Sequence, residues 1–541
     1  MFKIFILSFA LLASLDANIT LQEIESKPPS RAKNFMIWQY LQQDISPKEA
    51  DKAYSLVKGK SHKIFKLYAK KTDKPEIKEK IACMKERKLL SIKDEKCLEL
   101  AFSPYKTLSM TKQQRKNLSK KLKSKSRKEL LKIQNEPYKQ ASYEDYDANT
   151  VLSMFIRTTS KHRRKNLNID LSEEFINKLS SSWRISQFVK LVVHDDNLDK
   201  LQLSLLNLKG EKLNSKTNFY LALNHLKQQN NSKALHFFNL SKKKAKKKMD
   251  VDKNHFWMYK TTKDRKYLDK LLSSKDINIY TIYAYELQNK EFKNYFSAVE
   301  VNEKKAQMDI KNPFDWSSIL KDIKSASPSS EKLYELSKKY MQQEMIPVQT
   351  LILEKAYEYG MHGYVMPYNK YLKDVSKDEK ALIYAIMRQE SRFIPAALSR
   401  SYALGLMQIM PFVTDAISKQ IENPIESYDE MFIPQNNINY ALNHLEWMKK
   451  SLYHPLFMAY AYNGGMGFLR RHLEKGTFNS GKYEPFLSME LMSNSESREY
   501  GKKVLANYVM YKKVMGEEVS IVQLFDTLTN PKKTDRFRVQ G

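Results

Sequence analysis

Glu390 is the residue whose neighbours most favour proton transfer. The segment Glu379 to Glu390 reads EKALIYAIMRQE, in which Leu382, Ile383, Ile386 and Met387 recur at helical spacing, with Glu390 three and four positions beyond the last two. That spacing turns its carboxyl toward the apolar face, while Arg388 and Gln389 are expected to point elsewhere. Burial disfavours the charged carboxylate and raises its pKa, which leaves a proton donor at neutral pH. A plainer reading stays open on spacing alone: Glu390 is followed by Ser391, Arg392 and Pro395 and could close the helix through local hydrogen bonds.

Other polar residues are set into apolar text downstream. Ser399 to Pro411, SRSYALGLMQIMP, places Gln408 among hydrophobes ahead of a proline and reads as a cleft lining. Pro434 to Asn439 opens a helix running through His444 and Trp447; Phe457 to Gly467 ends another in a flexible turn that would face Tyr462 and Asn463 into a shared cavity. Ser495 to Tyr500 then precedes the helix Val504 to Tyr511 and supplies a second carboxylate, Glu496, and a guanidinium, Arg498, whose pairing could be structural.

The chain that must position these groups has 541 residues and 42% hydrophobic content, enough to fill cores in roughly three to five domains. Only 13 residues are glycine, and this scarcity favours helices over folds built on glycine turns and phosphate loops. From about residue 32 to 330, periodic stretches alternate with short polar turns. In one example, Phe219 to Leu226 and Lys233 to Phe238 flank the turn Gln228 to Asn231 as a helical hairpin of tetratricopeptide type. No strict period of about 34 residues settles, so the expectation is an irregular helical superhelix with a concave surface. Pro313 and the run Ser325 to Ser330 interrupt it, and a boundary is expected near 365 to 378, beyond which Gly, Pro, Asn and Met become denser.

Met1-Phe2-Lys3, the apolar run Ile4 to Ala13 and the small or polar residues Ser14 to Ala17 have the pattern of a cleaved export signal over residues 1–17, with a periplasmic destination. With 93 Lys and Arg against 61 Asp and Glu, the formal charge is +32. Its densest runs, Gln114 to Lys132 and Lys242 to Lys248, lack interleaved aromatics or a finger, RNP or KH signature, so they read as solvated helix faces. No nucleic acid is expected; in an exported protein such charge meets an anionic wall or membrane surface. Cys83 and Cys97 stand 14 apart, and an oxidising compartment would permit a bridge without making the fold depend on it. No metal and no cofactor are expected: there is no HExxH, His444 and His454 lack a ligand cluster, and neither a Walker loop nor a dinucleotide fingerprint occurs.

Taken in order, QES at 389–391, ALGLMQIMP at 403–411 following a serine, NNIN at 436–439, AYNGG at 461–465 and ESREY at 496–500 resemble the catalytic domain of soluble lytic murein transglycosylases. The resemblance implies a mostly α protein: an irregular α-helical superhelix, ring or horseshoe, over residues 18–330, a helical linker over 331–375, a C-terminal α+β lysozyme-like domain over 376–520 and a tail over 521–541. It implies cleavage of the β-1,4 bond between N-acetylmuramic acid and N-acetylglucosamine in peptidoglycan, leaving a 1,6-anhydro end, by a monomer. By the same resemblance Glu390 is the sole acid and base, Gln408 and Met410 line the saccharide cleft, and Ser399 contacts substrate. Tyr462 orients the glutamate, Asn463 shapes the cleft, Glu496 supports a peptide or sugar contact, and Arg498 and Tyr500 lend support. Tyr402 and Leu404 depart from a run that is small in the family, as do Gly464 and Met466 from AYNAGPG, and the bulk of Tyr402 is expected to narrow or reorient the cleft. Two other readings remain: a hydrolytic muramidase with Glu496 or Asp415 as second carboxylate, and an inactive wall-binding scaffold.

Overall fold

The computed structural model describes residues 19–539; the export signal expected at 1–17 lies outside the described residues. Helices account for nearly all regular structure, and their starts are written locally. Capping boxes close the first turns after Thr20, Ser46, Thr111 and Asn278, where a side-chain oxygen accepts an otherwise orphaned amide. The expected hairpin forms as helices Ser215–Lys227 and Asn231–Lys243, turned by Gln229 in the left-handed region at φ 58°. The next helix, Lys248–Thr262, adds Trp257, whose ring lies 6.0 Å from Phe238 and 6.5 Å from Phe219. Stacked faces of this kind bury the apolar side of each helix against the next, so one hydrophobic core runs from Ile19 to Leu528.

Two smaller cores stand beside it. Leu89, Leu98, Leu118 and Leu131 gather near the junction of helices Pro75–Lys85 and Glu95–Ala101, which a Cys83–Cys97 disulfide joins with Cα atoms 5.0 Å apart. Helices Pro313–Ala326, Ser330–Lys338 and Ile346–Ala356 share the other with Ile310 and Ile394. That unit starts upstream of residue 331, because Ile319 and Ile323 face the same core as Leu333 and Leu336. The β content is small. Tyr295–Phe296 pairs in parallel with His362–Gly363, and within the C-terminal part Leu404 bridges to Leu398 and Ile409.

The array closes on itself. Helix Arg31–Tyr40 returns to the C-terminal part, where Phe35 lies 5.4 Å from Tyr402 and 6.4 Å from Phe432, and Trp38 lies 6.0 Å from Tyr428. The segment 521–541, expected as a tail, is instead folded through residue 539. Glu286 accepts from the amides of Ile521 and Val522 at the start of helix Ile521–Thr527, and Ile521, Phe525 and Leu528 are buried. No helix among the described residues is long and apolar enough to cross a membrane.

Candidate active site

The helix that ends in Glu390, Lys377–Glu390, starts on Ser376, whose hydroxyl accepts the Glu379 amide at 3.3 Å. Its buried length packs against helix Ser495–Val514, where Asn507 donates to the Ala385 carbonyl at 3.2 Å. Arg388 does not point away as its spacing suggested: it is 6% exposed. Its guanidinium donates to Glu354 at 2.6 Å, to the Gly363 carbonyl at 2.8 Å and to Asn507 at 2.9 Å, and lies 4.3 Å from the Tyr364 ring centre. A planar cation with that many partners is tolerated in a core, and here it anchors the end of the helix that carries the glutamate.

Closure of that helix does not need Glu390. The amide and hydroxyl of Ser391 donate to the Met387 carbonyl at 3.1 and 3.2 Å. The Glu390 carboxyl, half-buried at its surface, is pushed up to about 7, first by loss of water and further by the charge of Glu496. The Tyr500 hydroxyl opposes the rise. It is buried, faces the carboxyl and falls short of full hydrogen-bond geometry.

Glu390 opens into a cavity of about 410 Å³. Asn463, Glu496, Arg498 and Tyr500 line it, and the far wall comes from the superhelix through Lys216, Tyr220, Lys247 and Lys253. Ser497 donates to Asn463 at 2.8 Å, fixing that side chain at the rim. Arg498 is structural: it donates to the Tyr220 hydroxyl and to Glu499, both at 2.9 Å. Beneath it Lys502, fully buried, donates to Glu490 at 2.9 Å, and Tyr280 donates to the same carboxylate at 2.5 Å. This network ties two superhelix helices, through Tyr220 and Tyr280, to the one that carries Tyr500. A larger cleft of about 1260 Å³ lies between Ser297–Lys311 and Val365–Tyr371 and is lined by none of the expected site residues. The titratable groups Glu390, Glu496, Arg498, Glu499 and Tyr500 converge on the smaller cavity.

Ser399, Gln408 and Met410 lie outside that lining, on the neighbouring loop. Ser399 Oγ accepts the amides of Ser401 and Ala403, and the Gln408 side chain donates to the Ala397 and Gly405 carbonyls, each at 2.9 Å. Both residues therefore brace the loop. The buried Asn437 of NNIN staples it: the side-chain amide donates to Leu404 and Met431 carbonyls at 3.0 and 2.9 Å and its oxygen accepts the Met407 amide at 2.8 Å. Gly405 sits at φ 73°, and a Cβ there would come within 2.2 Å of the Asn437 amide. Tyr462 borders Glu390, but its hydroxyl donates to the Met407 carbonyl at 2.7 Å, linking loop and glutamate.

The unusual residues have structural causes. Tyr402 does not narrow the cleft; its ring turns outward between Phe35 and Trp38, at 5.4 Å from each. Gly464 is small because a Cβ would fall 2.6 Å from both Phe468 and the Ser497 hydroxyl. Asp415 accepts from the Tyr428 hydroxyl at 2.7 Å and does not line the Glu390 cavity. His444 stands edge-on to Tyr462 at 5.7 Å, His454 is bonded to the Leu524 carbonyl at 2.9 Å, and among the described residues no three His, Cys, Asp or Glu side chains converge as metal ligands.

The superhelix wall went unread in the sequence, since Lys216 and Lys253 carry no motif. Lys247, exposed as expected for the run Lys242 to Lys248, is the lysine of that wall for which the sequence carries a signal. Arg115 of the other run, unlike the exposed Lys247, is buried, donating to the Thr107 and Met110 carbonyls.

Residues 367–484 match the transglycosylase SLT domain family. Soluble lytic murein transglycosylases of Escherichia coli strain K12 and Salmonella typhimurium are each 26% identical to this chain, over 213 and 216 residues, covering 38% of this chain and 32% of theirs. The chain thus aligns with about a third of the length of these relatives. Lytic transglycosylase Slt from Pseudomonas aeruginosa superposes with a TM-score of 0.49 at 14% identity, covering 92% of this chain and 84% of that one.

Proposed function

We propose that the chain, whose residues 367–484 match the transglycosylase SLT domain family, is a lytic transglycosylase that cleaves the β-1,4 bond between N-acetylmuramic acid and N-acetylglucosamine in peptidoglycan. The observation that carries this reading is Glu390 itself, a carboxyl pushed up to about 7 in a cavity built from both halves of the molecule. Protonated Glu390 donates to the leaving glycosidic oxygen as positive charge builds at the anomeric carbon. The resulting carboxylate takes the proton from the C6 hydroxyl of the same muramic residue. That oxygen attacks the anomeric carbon and closes a 1,6-anhydro ring, which restores the acid. One carboxyl serves in sequence for two tasks, and neither water nor cofactor enters the balance.

In this reading Asn463 and Glu496 form the rim, Gln408 and Met410 present the saccharide side of the loop, Ser399 holds its turn, and Tyr462 and Tyr500 fix the glutamate's surroundings. Residues 1–17 direct export to the periplasm, the superhelix and linker precede the catalytic part, and a monomer suffices. Glu496 in the same cavity is the one observation favouring hydrolysis, since a second carboxylate there could activate water. Mass spectrometry of digested peptidoglycan decides: anhydromuramoyl ends are expected, and reducing muramic ends alone would make the protein a muramidase. Glu390→Gln is expected to lower turnover by roughly 10²- to 10⁴-fold with an unchanged circular dichroism spectrum. Full activity in that variant would sink both enzymatic readings, and glycan binding without turnover by the intact chain would leave the scaffold.

A further inference from the structure

We propose that Tyr402 is a positioning residue, through which the N-terminal helix Arg31–Tyr40 holds the loop 397–411, and with it the Tyr462 side of the Glu390 site, in working register. The proposal rests on the role given to Glu390 above. Tyr402 is 3% exposed and adopts φ 62°, a left-handed conformation that a bulky L-residue rarely takes. Glycine would satisfy that backbone without strain. An aromatic ring stands there instead, seated between Phe35 and Trp38 at 5.4 Å from each, with the Lys63 ammonium 5.7 Å from its centre.

The backbone just ahead of Tyr402 is held from the same N-terminal region, by Arg31 and by Lys63 of the helix His62–Lys71. Arg31 donates to the Leu398 carbonyl at 2.8 Å and Lys63 to the Ser401 carbonyl at 2.6 Å. Three attachments therefore fall within five residues of the loop, all from a part of the chain more than 330 positions away. The remaining bonds of the loop, from Ser399, from Gln408 and between Leu404 and Ile409, are internal and set its shape but not its place. Its place is set by Asn437 on the inner side and by the Tyr402 socket on the outer side. From there the path to the chemistry is short: the Met407 carbonyl accepts the Tyr462 hydroxyl at 2.7 Å, and Tyr462 borders Glu390.

The test uses the full chain with Tyr402→Phe, Tyr402→Gly and Trp38→Ala. Tyr402→Gly relieves the backbone conformation while removing the ring, so its fold is the safest of the disruptive changes. Tyr402→Gly and Trp38→Ala are each expected to lower kcat/KM per folded molecule by roughly ten- to a hundredfold, the order for reacting groups displaced by about 1 Å. Tyr402→Phe should rescue activity, and combining Trp38→Ala with Tyr402→Gly should cost little more than either alone, because both break one coupling. Amide hydrogen exchange across residues 397–411 should quicken in Trp38→Ala. Unchanged exchange there, additive losses, or a loss that tracks the folded fraction alone would overturn the proposal. If the intact chain releases no anhydro ends, the functional reading fails, while exchange in the loop still decides the positioning.

Discussion

At the scale of single residues the raised pKa of Glu390 bears on stability and on the activity proposed for it. Its folded value of about 7 lies above the ordinary 4.5 because the carboxyl has lost water and faces Glu496. A raised pKa means that the folded state holds the proton longer than the unfolded chain does, so the contribution to stability is full below about pH 4.5 and is lost as pH climbs through 7. Glu390→Gln cannot ionise. Its melting temperature should gain on that of the parent between pH 4.5 and 8, and a constant difference across that range would contradict the burial. The parent's kcat/KM should fall on an alkaline limb centred near pH 7 as the proton donor is lost. Glu496→Gln, by removing a neighbouring charge, should move that limb to lower pH.

At the scale of elements the inner side of the loop 397–411 is held by one amide side chain. Asn437 serves two carbonyls and one amide from the interior of its helix, and none of these groups has water in reach. Asn437→Ala strands them and should destabilise the protein by about 2–3 kcal/mol in denaturant titration, with a larger relative loss of activity than of stability. Motif spacing found this residue type but not its work, because the partners Leu404, Met407 and Met431 come into reach only when the loop folds onto the helix. Arg388 shows the reverse failure. Periodicity put it on an outer face, whereas Glu354, 34 positions earlier, supplies a buried carboxylate that draws it inward.

At the scale of the whole molecule the superhelix is part of the site rather than a platform for it. Lys502 is buried against Glu490 and Glu499, and the same network reaches Tyr220 and Tyr280 on the superhelix. Lys502→Met would leave the buried Glu490 carboxylate without its cation and should cost about 3–5 kcal/mol, whereas pairing it with Glu490→Leu should recover part of that loss. The basic surface gives a separate expectation. Raising salt should release the protein from sedimenting peptidoglycan before it affects turnover of a small soluble muropeptide, since exposed charges are screened over about 10 Å at 0.1 M and the buried site is not. Equal salt loss on both substrates would contradict that division.

The sequence by itself determined the helical class, the hairpin around Gln229, the position of Glu390 at the end of an apolar helix and the motif order that marks the catalytic part. These are local quantities, fixed by periodicity, capping and residue type within a few turns. Only the tertiary structure decided where Tyr402 points, what Arg388 and Asn437 hold, that Arg115 of one basic run is buried, and that Lys216, Lys247 and Lys253 complete the cavity opposite Glu390. Each of those depends on contacts between segments far apart in the chain, and no spacing along the sequence encodes which distant surface a side chain will meet.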